Sequence, residues 1–261
     1  MQSSGDPLLR VEALSLRFGG IAALDGISFD VEPGRICGII GPNGAGKTTL
    51  FNCLSRLYTP HDGRIIFNGT DLLRQPQHKI ASLGIGRTFQ NVALFAKMTV
   101  FENIMVGCHC RTSTGYVANA LRLRSVRREE EEVRDHTRKL LPLLDLSDVA
   151  DRRVQELPFP TCKRVEFARA LASQPTLLLL DEPAAGLNHE EVDGLRDLIL
   201  AIRDRFNVTV LLVEHHLNLV MRISDQVVAI NFGRKIVDGA PSAVQNDPEV
   251  IRAYLGGGPA R

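Results

Sequence analysis

The chain has 261 residues, a formal net charge of +1, no tryptophan and only 5% aromatic residues. A chain of this length buries a substantial core, either as one large domain or as a core with a subdomain. The balanced charge and the few aromatic side chains argue against a nucleic-acid-binding surface. No apolar run reaches the roughly 18 residues of a membrane-spanning helix, and the first residues lack the charged and apolar regions of a signal peptide.

Strands are predicted for most of the N-terminal part of the chain. Residues 8–36 and 63–69 alternate between apolar and polar side chains, which predicts antiparallel strands in a β subdomain. Pro33-Gly34 and His61-Asp62-Gly63 are the turn signals. The apolar run Ile36–Ile40 predicts a buried strand instead.

The segment that follows this run matches a phosphate-binding loop, G-x-x-x-x-G-K-[ST]. Glycines let successive backbone N–H groups turn towards phosphate oxygens. The Lys47 ammonium adds charge for the β- and γ-phosphates, and the Thr48 hydroxyl is a ligand for Mg²⁺. Helical spacing from residue 49 onward places the phosphates at a helix N-terminus, which argues against a glycine-rich turn without function. The predicted binding residues are Gly41, Pro42, Asn43, Gly44, Ala45, Gly46, Lys47, Thr48 and Thr49.

The region from about residue 91 to residue 155 has a mostly helical pattern. Residues 122–139 are dense in alternating arginine and glutamate. This charge run is either a helix that docks a partner or a solvated helix with i,i+4 ion pairs. The solvated helix is the favoured interpretation, because charge runs are usually solvated.

A second acidic site follows the apolar run 177–180. The run predicts a central parallel strand, and ligands bind at the C-terminal ends of such strands. Asp181 is expected to hold Mg²⁺, directly or through water, and Glu182 to polarise the attacking water as general base. An ordinary acidic turn is the less favoured alternative downstream of a phosphate-binding loop. Helix and strand then alternate to about residue 230, and residues 241–255 predict one or two short helices.

The five cysteines are scattered along the chain. Cys37 and Cys53 lie in apolar segments and are expected to be buried and reduced. Cys108-His109-Cys110 has the wrong spacing for a zinc pair, and no second pair follows it. Chance explains that cluster better than a metal does.

With both sites in place, the chain resembles the ATP-binding cassette (ABC) ATPases over nearly its whole length. The resemblance implies an α/β fold, in which a P-loop (RecA-like) ATPase core carries an antiparallel β subdomain and an inserted α-helical subdomain. We expect one ABC domain over residues 1–261. Residues 1–90 and 156–261 are expected to form the nucleotide-binding core with its β subdomain, and residues 91–155 the helical subdomain. The implied cofactors are ATP and Mg²⁺, and the implied activity is ATP hydrolysis coupled to transport across a membrane.

Further residues gain a role from this resemblance. Phe18 matches the aromatic side chain that stacks on adenine, although a core phenylalanine in a strand is a serious alternative. Gln90 matches the Q-loop glutamine, which contacts Mg²⁺ and water and senses the membrane partner. His215 matches the switch histidine that bonds the γ-phosphate, with His216 as the alternative. The D-loop, which touches the opposite subunit, corresponds to Ala185, Gly186, Leu187 and Asn188.

Four segments narrow the resemblance: Thr-Phe-Gln-Asn, Asp-Glu-Pro-Ala-Ala-Gly-Leu-Asn, Leu-Leu-Val-Glu-His-His and the tail 247–256. They are similar to the ATPases of bacterial branched-chain amino-acid importers. This implies a peripheral subunit on the cytoplasmic face of the inner membrane. The implied partners are transmembrane permeases, a second ATPase subunit and, indirectly, a substrate-binding protein. Importers of urea or short amides and the lipopolysaccharide exporter ATPase are close relatives and stay open as alternatives.

The signature loop departs from the ABC pattern Leu-Ser-Gly-Gly-Gln, in which this subfamily tolerates alanine and an aromatic residue at the second and third positions. In the family its hydroxyl and N–H groups contact the γ-phosphate bound to the opposite subunit. Pro158 has no hydroxyl and Pro160 no N–H, and each lost donor costs about 10²–10³ in rate. We expect Thr161 to cap the following helix, which therefore forms while its phosphate contact is impaired. The loop comprises Leu157, Pro158, Phe159, Pro160 and Thr161.

This departure predicts unequal sites in a dimer. Each ATP of an ABC dimer lies between the P-loop of one subunit and the signature of the other. Beside a different subunit, the P-loop site of this chain is complete and the partner's site is weak, so we expect a heterodimer rather than a homodimer. One alternative is a nucleotide-binding regulatory subunit with weak hydrolysis. Another is a soluble ABC protein that acts on DNA or ribosomes, but such relatives usually carry two cassettes or a long coiled coil.

Overall fold

The computed structural model describes residues 6–88, 93–111 and 124–255. The chain divides into two compact units, the first formed by residues 1–80 with 179–261 and the second by residues 81–178. Their composition confirms the predicted α/β class, with an antiparallel sheet in the first unit and a mainly helical second unit. The subdomain limits at residues 91 and 155 stay a prediction.

The first unit holds two sheets and several helices. Before the second unit, the elements are β1 Leu9–Phe18, β2 Ile21–Val31, β3 Ile36–Ile40, α1 Lys47–Leu54, β4 Asp62–Phe67 and β5 Thr70–Asp71. The strand β7, Leu177–Asp181, begins in the second unit and ends in the first. It is followed by α5 His189–Phe206, β8 Thr209–Val213, α6 Leu217–Ile223, β9 Gln226–Asn231, β10 Arg234–Gly239, α7 Pro241–Gln245 and α8 Pro248–Leu255.

The antiparallel sheet has the strand order β2-β1-β4-β5. Leu9, in the central strand β1, pairs with Val31 of β2 on one side and with Phe67 of β4 on the other. All three side chains are buried, as the alternating pattern requires when one face of a sheet packs on a core. The predicted antiparallel strands are thereby confirmed.

The second sheet of this unit has the order β10-β9-β3-β8-β7. Its centre is parallel, since β3 runs alongside both β8 and β9 in the same direction. Every residue of β3, β7 and β8 is buried, which explains why these strands are continuous apolar runs. The predicted phosphate loop follows β3, the acidic pair lies at the C-terminal end of β7, and the histidines follow β8. Cys37, in β3, and Cys53, in α1, are free and buried, as predicted.

The second unit is mainly helical. Its elements are β6 Ile85–Arg87, α2 Val100–Gly107, α3 Arg124–Leu143, α4 Phe159–Ala172 and the start of β7. A capping box opens α2, in which Thr99 and Glu102 each accept the other's backbone N–H. Gly107 lets the α2 and α4 helices approach closely, since a side chain at this position would clash with the Arg169 carbonyl group.

The charge run forms most of α3 and has the features of a solvated helix. Arg128 and Glu132 lie 3.0 Å apart, with 83% and 65% of their side chains exposed. Arg134 pairs with Glu130 at 2.9 Å. Pairs of this kind contribute little stability, so the helix is held by its apolar face. In the described parts of the chain, no helix is both long enough and apolar enough to cross a bilayer.

Candidate active site

The phosphate loop is shaped by glycines between β3 and α1. Gly46 has a φ of +106° and lies immediately before the first helical residue, Lys47. A Cβ at Gly46 would clash with the Ala23 carbonyl group, and one at Gly41 with the Ile230 carbonyl group. Only glycine fits these two positions, because both the backbone angle and the space exclude a side chain. The loop is further fixed by a hydrogen bond from the Gly233 N–H to the Ala45 carbonyl, at 2.9 Å.

Lys47 is the first residue of α1, and its side chain folds back into the preceding loop. Its ammonium group donates to the carbonyl oxygens of Gly41, at 2.7 Å, and Pro42, at 3.0 Å. Burial lowers the pKa of Lys47, and the charges of Glu182 and Asp181 oppose this by raising it. The two carboxylates therefore act on the same ammonium group that phosphates are expected to contact. The neighbouring Thr48 is exposed.

The acidic pair ends β7. Asp181 is only 4% exposed, whereas the Glu182 side chain is 19% exposed. Glu182 has a left-handed φ of +47°, and its N–H donates to the Val213 carbonyl at 2.9 Å. A non-glycine residue in this conformation is strained, and such strain is concentrated at functional sites. The turn thus sends Glu182 away from the strand while Asp181 stays buried at its end.

The histidine pair follows β8, the strand next to β7. His215 Nδ1 lies 3.9 Å from Glu182 Oε2 and 3.7 Å from Glu214 Oε2. The His215 side chain is 48% exposed, and its ring lies 4.4 Å from that of His216. The structure therefore brings His215 and Glu182 together, which favours His215 over His216 for the switch role.

Glu214 is a site residue that the sequence reasoning missed. It is fully buried, and its carboxylate accepts the backbone N–H groups of Ala184, His215 and His216 at 2.7, 3.0 and 3.2 Å. A signal was present, because a glutamate directly after a buried apolar strand must find partners for its charge. The carboxylate supplies a direct link between the turn after β7 and the turn after β8.

The predicted D-loop joins Glu182 to α5. It begins with a hydrogen bond from the Ala185 N–H to the Glu182 carbonyl, and Gly186 turns the chain with a φ of +81°. Asn188 ends the loop as the N-cap of α5. Its side chain accepts the Glu191 N–H at 3.0 Å, and the Glu191 carboxylate accepts the Asn188 N–H. The loop is thus anchored at both ends.

Phe18, at the end of β1, has a partner that the sequence did not indicate. Its side chain is 48% exposed and therefore does not belong to the core. The Phe18 and Tyr58 rings form a T-shaped pair, with a centroid distance of 5.3 Å and an interplanar angle of 73°. An exposed aromatic ring held by a second ring is a platform on which a planar base can stack.

Comparison with known proteins decides the family. The family described as ABC transporter matches residues 24–185, more than half of the chain. The chain belongs to the ABC transporter family. Residues 234–260 of this ABC protein also match the family described as branched-chain amino acid ATP-binding cassette transporter.

Full-length relatives of this ABC protein carry specific names. It is 44% identical over 250 residues to the high-affinity branched-chain amino acid transport ATP-binding protein BraF of Pseudomonas aeruginosa, covering 96% of this chain and 98% of BraF. It is 43% identical to LivG of Escherichia coli, with the same coverage. The crystal structure of the ADP conformation of MJ1267, an ATP-binding cassette of an ABC transporter, superposes on this chain with a TM-score of 0.83 at 32% identity, covering 97% of this chain and 100% of that one.

The predicted signature loop lies in the second unit, at the start of α4. The helix begins at Phe159 with Pro158 as its N-cap, and no side chain caps it. The expectation that Thr161 caps this helix is therefore wrong. The fixed φ of Pro160 suits the first helical turn, so the helix starts before Thr161 rather than at it. The Cys162 N–H already donates to the Pro158 carbonyl at 3.0 Å.

Two other sequence predictions concern the second unit. Gln90, the predicted Q-loop residue, lies outside the described residues. Within the described parts of the chain, the side chains of Cys108, His109 and Cys110 do not converge as the ligands of one metal ion would. The Cys108 thiol is buried near the Ala172 carbonyl group, and burial raises its pKa, as expected of an inert core thiol.

Proposed function

We propose that this ABC ATPase energises a bacterial importer of branched-chain amino acids from the cytoplasmic face of the inner membrane. The observation that carries the ATPase role is the approach of His215 to Glu182, at 3.9 Å, beside the Lys47 loop. Similarity to BraF and LivG across 96% of the chain supports the substrate class. The match of the tail to a branched-chain amino acid cassette family supports it independently.

The residues fit a nucleotide with Mg²⁺. Mg²⁺ prefers hard oxygen ligands, and the exposed Thr48 hydroxyl and the Asp181 carboxylate supply them. Both carboxylates raise the pKa of Lys47, which places their negative charge close to the phosphate-binding ammonium. Asp181 and Thr48 would hold the Mg²⁺, which would supply positive charge to offset that of the nucleotide phosphates.

Each proposed site residue has its own role in hydrolysis. Lys47 and the N–H groups of the phosphate loop hold the β- and γ-phosphates. Glu182 orients the attacking water and accepts its proton. His215 holds a γ-phosphate oxygen, which keeps the γ-phosphorus in line with that water. Gln90 is proposed to contact Mg²⁺ and water and to sense the permease.

A second ATPase subunit is the proposed dimer partner. Of the first three residues of α4, only Phe159 and Thr161 carry a backbone N–H, since Pro160 has none. Pro158 lacks the hydroxyl that the family provides. A homodimer would repeat this poor signature at both nucleotides, whereas a heterodimer confines it to the partner's P-loop. The heterodimer, permeases and substrate-binding protein complete the proposed importer.

The same observation favours a second candidate, a regulatory subunit that binds nucleotide but hydrolyses it weakly. In that case the chain binds ATP with ordinary affinity while its assembly turns over slowly. The ratio of ATP affinity to turnover separates the candidates, because the importer ATPase needs both.

Uptake of labelled leucine by cells tests the proposal. The gene is replaced by the wild-type sequence or by Lys47→Ala, and urea uptake is measured in parallel. We expect leucine uptake to be lost in Lys47→Ala and urea uptake to be unchanged. Loss of urea uptake alone would assign the chain to the urea importers. Normal uptake of both would reject this protein as the ATPase of either importer.

A further inference from the structure

The buried Glu214 carboxylate holds together the two turns that carry the proposed catalytic side chains. On one side, Glu214 Oε1 accepts the Ala184 N–H at 2.7 Å. On the other, Glu214 Oε2 accepts the N–H groups of His215 and His216 at 3.0 and 3.2 Å. The three donors are backbone groups from two different turns, so the carboxylate is a clamp between turns.

The clamp acts next to a strained residue. Glu182 has a φ of +47°, and Pro183, which follows it, has no N–H to anchor the turn. The turn is held against β8 by the Glu182 N–H, which donates to the Val213 carbonyl, and by the Ala184 N–H, which donates to Glu214. Loss of the second bond leaves the strained conformation of Glu182 with one anchor fewer.

Burial makes the hydrogen bonds that Glu214 accepts costly to lose. Glu214 is 0% exposed, so water cannot replace a lost hydrogen bond. Hydrogen bonds from N–H groups to a carboxylate are roughly twice as strong as neutral ones. A neutral amide in its place has one acceptor oxygen and one NH₂ group. In either orientation, the NH₂ group faces backbone N–H donors.

We infer that Glu214 is a positioning residue for hydrolysis, which fixes the Glu182 carboxylate relative to His215 and holds the start of the D-loop to the switch histidine. Glu214 touches no substrate in this role and acts through the backbone of residues 184, 215 and 216 and through its approach to the His215 imidazole, at 3.7 Å. The inference rests on the proposed roles of Glu182 and His215. Through Ala184, it also connects the histidine to the loop that meets the opposite subunit in ABC dimers.

Glu214→Gln in the full chain tests the inference, and Asp225→Asn is the matched control. Asp225 is also a carboxylate that accepts a backbone N–H, that of Ile36, at 2.8 Å. Ile36 is the first residue of β3, so this bond lies at the opposite end of the strand from the phosphate loop. Both substitutions remove one charge from a carboxylate that accepts backbone N–H groups of the first unit.

Three quantities are measured at equal folded fraction: turnover of Mg-ATP, binding of fluorescent TNP-ATP, and amide exchange of peptides that cover residues 182–188. For Glu214→Gln we expect turnover to fall by about 10-fold or more, because a small misplacement of a catalytic group has such effects. Binding of TNP-ATP should stay within about twofold, because the phosphate loop is untouched. Exchange in residues 182–188 should accelerate. Asp225→Asn should change neither turnover nor this exchange.

Two results would overturn the inference. One is turnover within about twofold of the wild type at equal folded fraction. The other is unchanged exchange in residues 182–188, which would show that the clamp does not hold the turn, whatever the turnover. Glu182→Gln, measured in the same series, keeps the inference separate from the proposed function. Full turnover in Glu182→Gln rejects the general base, while the exchange result for Glu214→Gln still decides whether the clamp exists.

Discussion

The imidazole of His215 and the carboxylate of Glu182 lie 3.9 Å apart, on turns that follow two neighbouring strands of the parallel sheet. In the proposed mechanism, this spacing lets the histidine contact a phosphate oxygen of ATP while the glutamate contacts the attacking water. The proposed function of Glu182 is also separable from nucleotide binding, since Lys47, the proposed phosphate-binding residue, lies on another loop.

Glu182→Gln should therefore bind ATP and hardly hydrolyse it. The amide keeps the shape of the side chain but accepts no proton, so we expect turnover to fall by about 10²–10⁴-fold. ATP affinity should be retained or slightly raised, because a negative charge near the phosphates is removed. Steady-state phosphate release and equilibrium binding on the same preparation check both parts. Near-normal turnover would remove Glu182 from the role of general base.

Phe18→Ala should weaken ATP binding by about 5- to 150-fold, since stacking on a base is worth roughly 1–3 kcal/mol. Tyr58→Ala should weaken it less, because Tyr58 supports Phe18 through a T-shaped ring contact and is not the ring proposed to stack on the base. Tyr58→Phe is the control, because it keeps the ring and removes only the hydroxyl. Equal losses for Phe18→Ala and for an Ile21→Ala control on the same exposed hairpin would argue against stacking.

How far the site could be predicted depends on how local each signal is. The phosphate loop and the pair Asp181-Glu182 are contiguous motifs, so the sequence placed them correctly after buried strands. Tyr58 was missed because its contact with Phe18 joins residues 40 positions apart, a distance that periodicity does not detect. Glu214 was missed because its three donors lie on two turns that meet only in the folded sheet.

The start of α4 shows a different limit. The prediction placed the cap at Thr161 because threonine is a favoured N-cap residue. The structure starts the helix at Phe159, because proline is accommodated in the first turn and its φ is preset for it. The N-cap preference of threonine and the tolerance of proline in the first turn predict different helix starts, and the sequence alone did not indicate which of them applies here.

Restoring the signature should raise hydrolysis. The triple variant Pro158→Ala, Pro160→Gly, Thr161→Gln regains backbone N–H groups at positions 158 and 160 and the family's glutamine at position 161. We expect turnover of the purified chain to rise by about 10-fold or more, given that one such donor is worth roughly 10²–10³ in rate. Pro158→Ala alone is the control, because it restores the N–H of the N-cap residue only and leaves Pro160, which has no N–H, in the first helical turn. Equal and robust activity in all three proteins would reject the unequal-site argument and leave the ATPase assignment standing.

His136 should make the second unit sensitive to acid. Its Nδ1 lies 3.3 Å from Gln174 Nε2, and burial, together with the charges of Arg111 and Lys139, lowers the pKa of the imidazole below 6.5. The unfolded chain therefore binds this proton more readily than the folded one as the pH falls below about 6.5. Stability that is fully present above this pH is lost as the pH falls towards the lowered pKa.

His136→Gln should reduce that loss, because the amide keeps a polar partner for Gln174 and does not titrate. Urea unfolding midpoints at pH 7.5 and pH 5.5 measure the effect, with the variant showing a smaller difference between the two pH values than the wild type. His78→Gln is the matched control, since His78 is exposed in the first unit. If the wild type and His136→Gln lose equal stability between these pH values, other groups cause the acid sensitivity and the depressed pKa of His136 does not contribute to it.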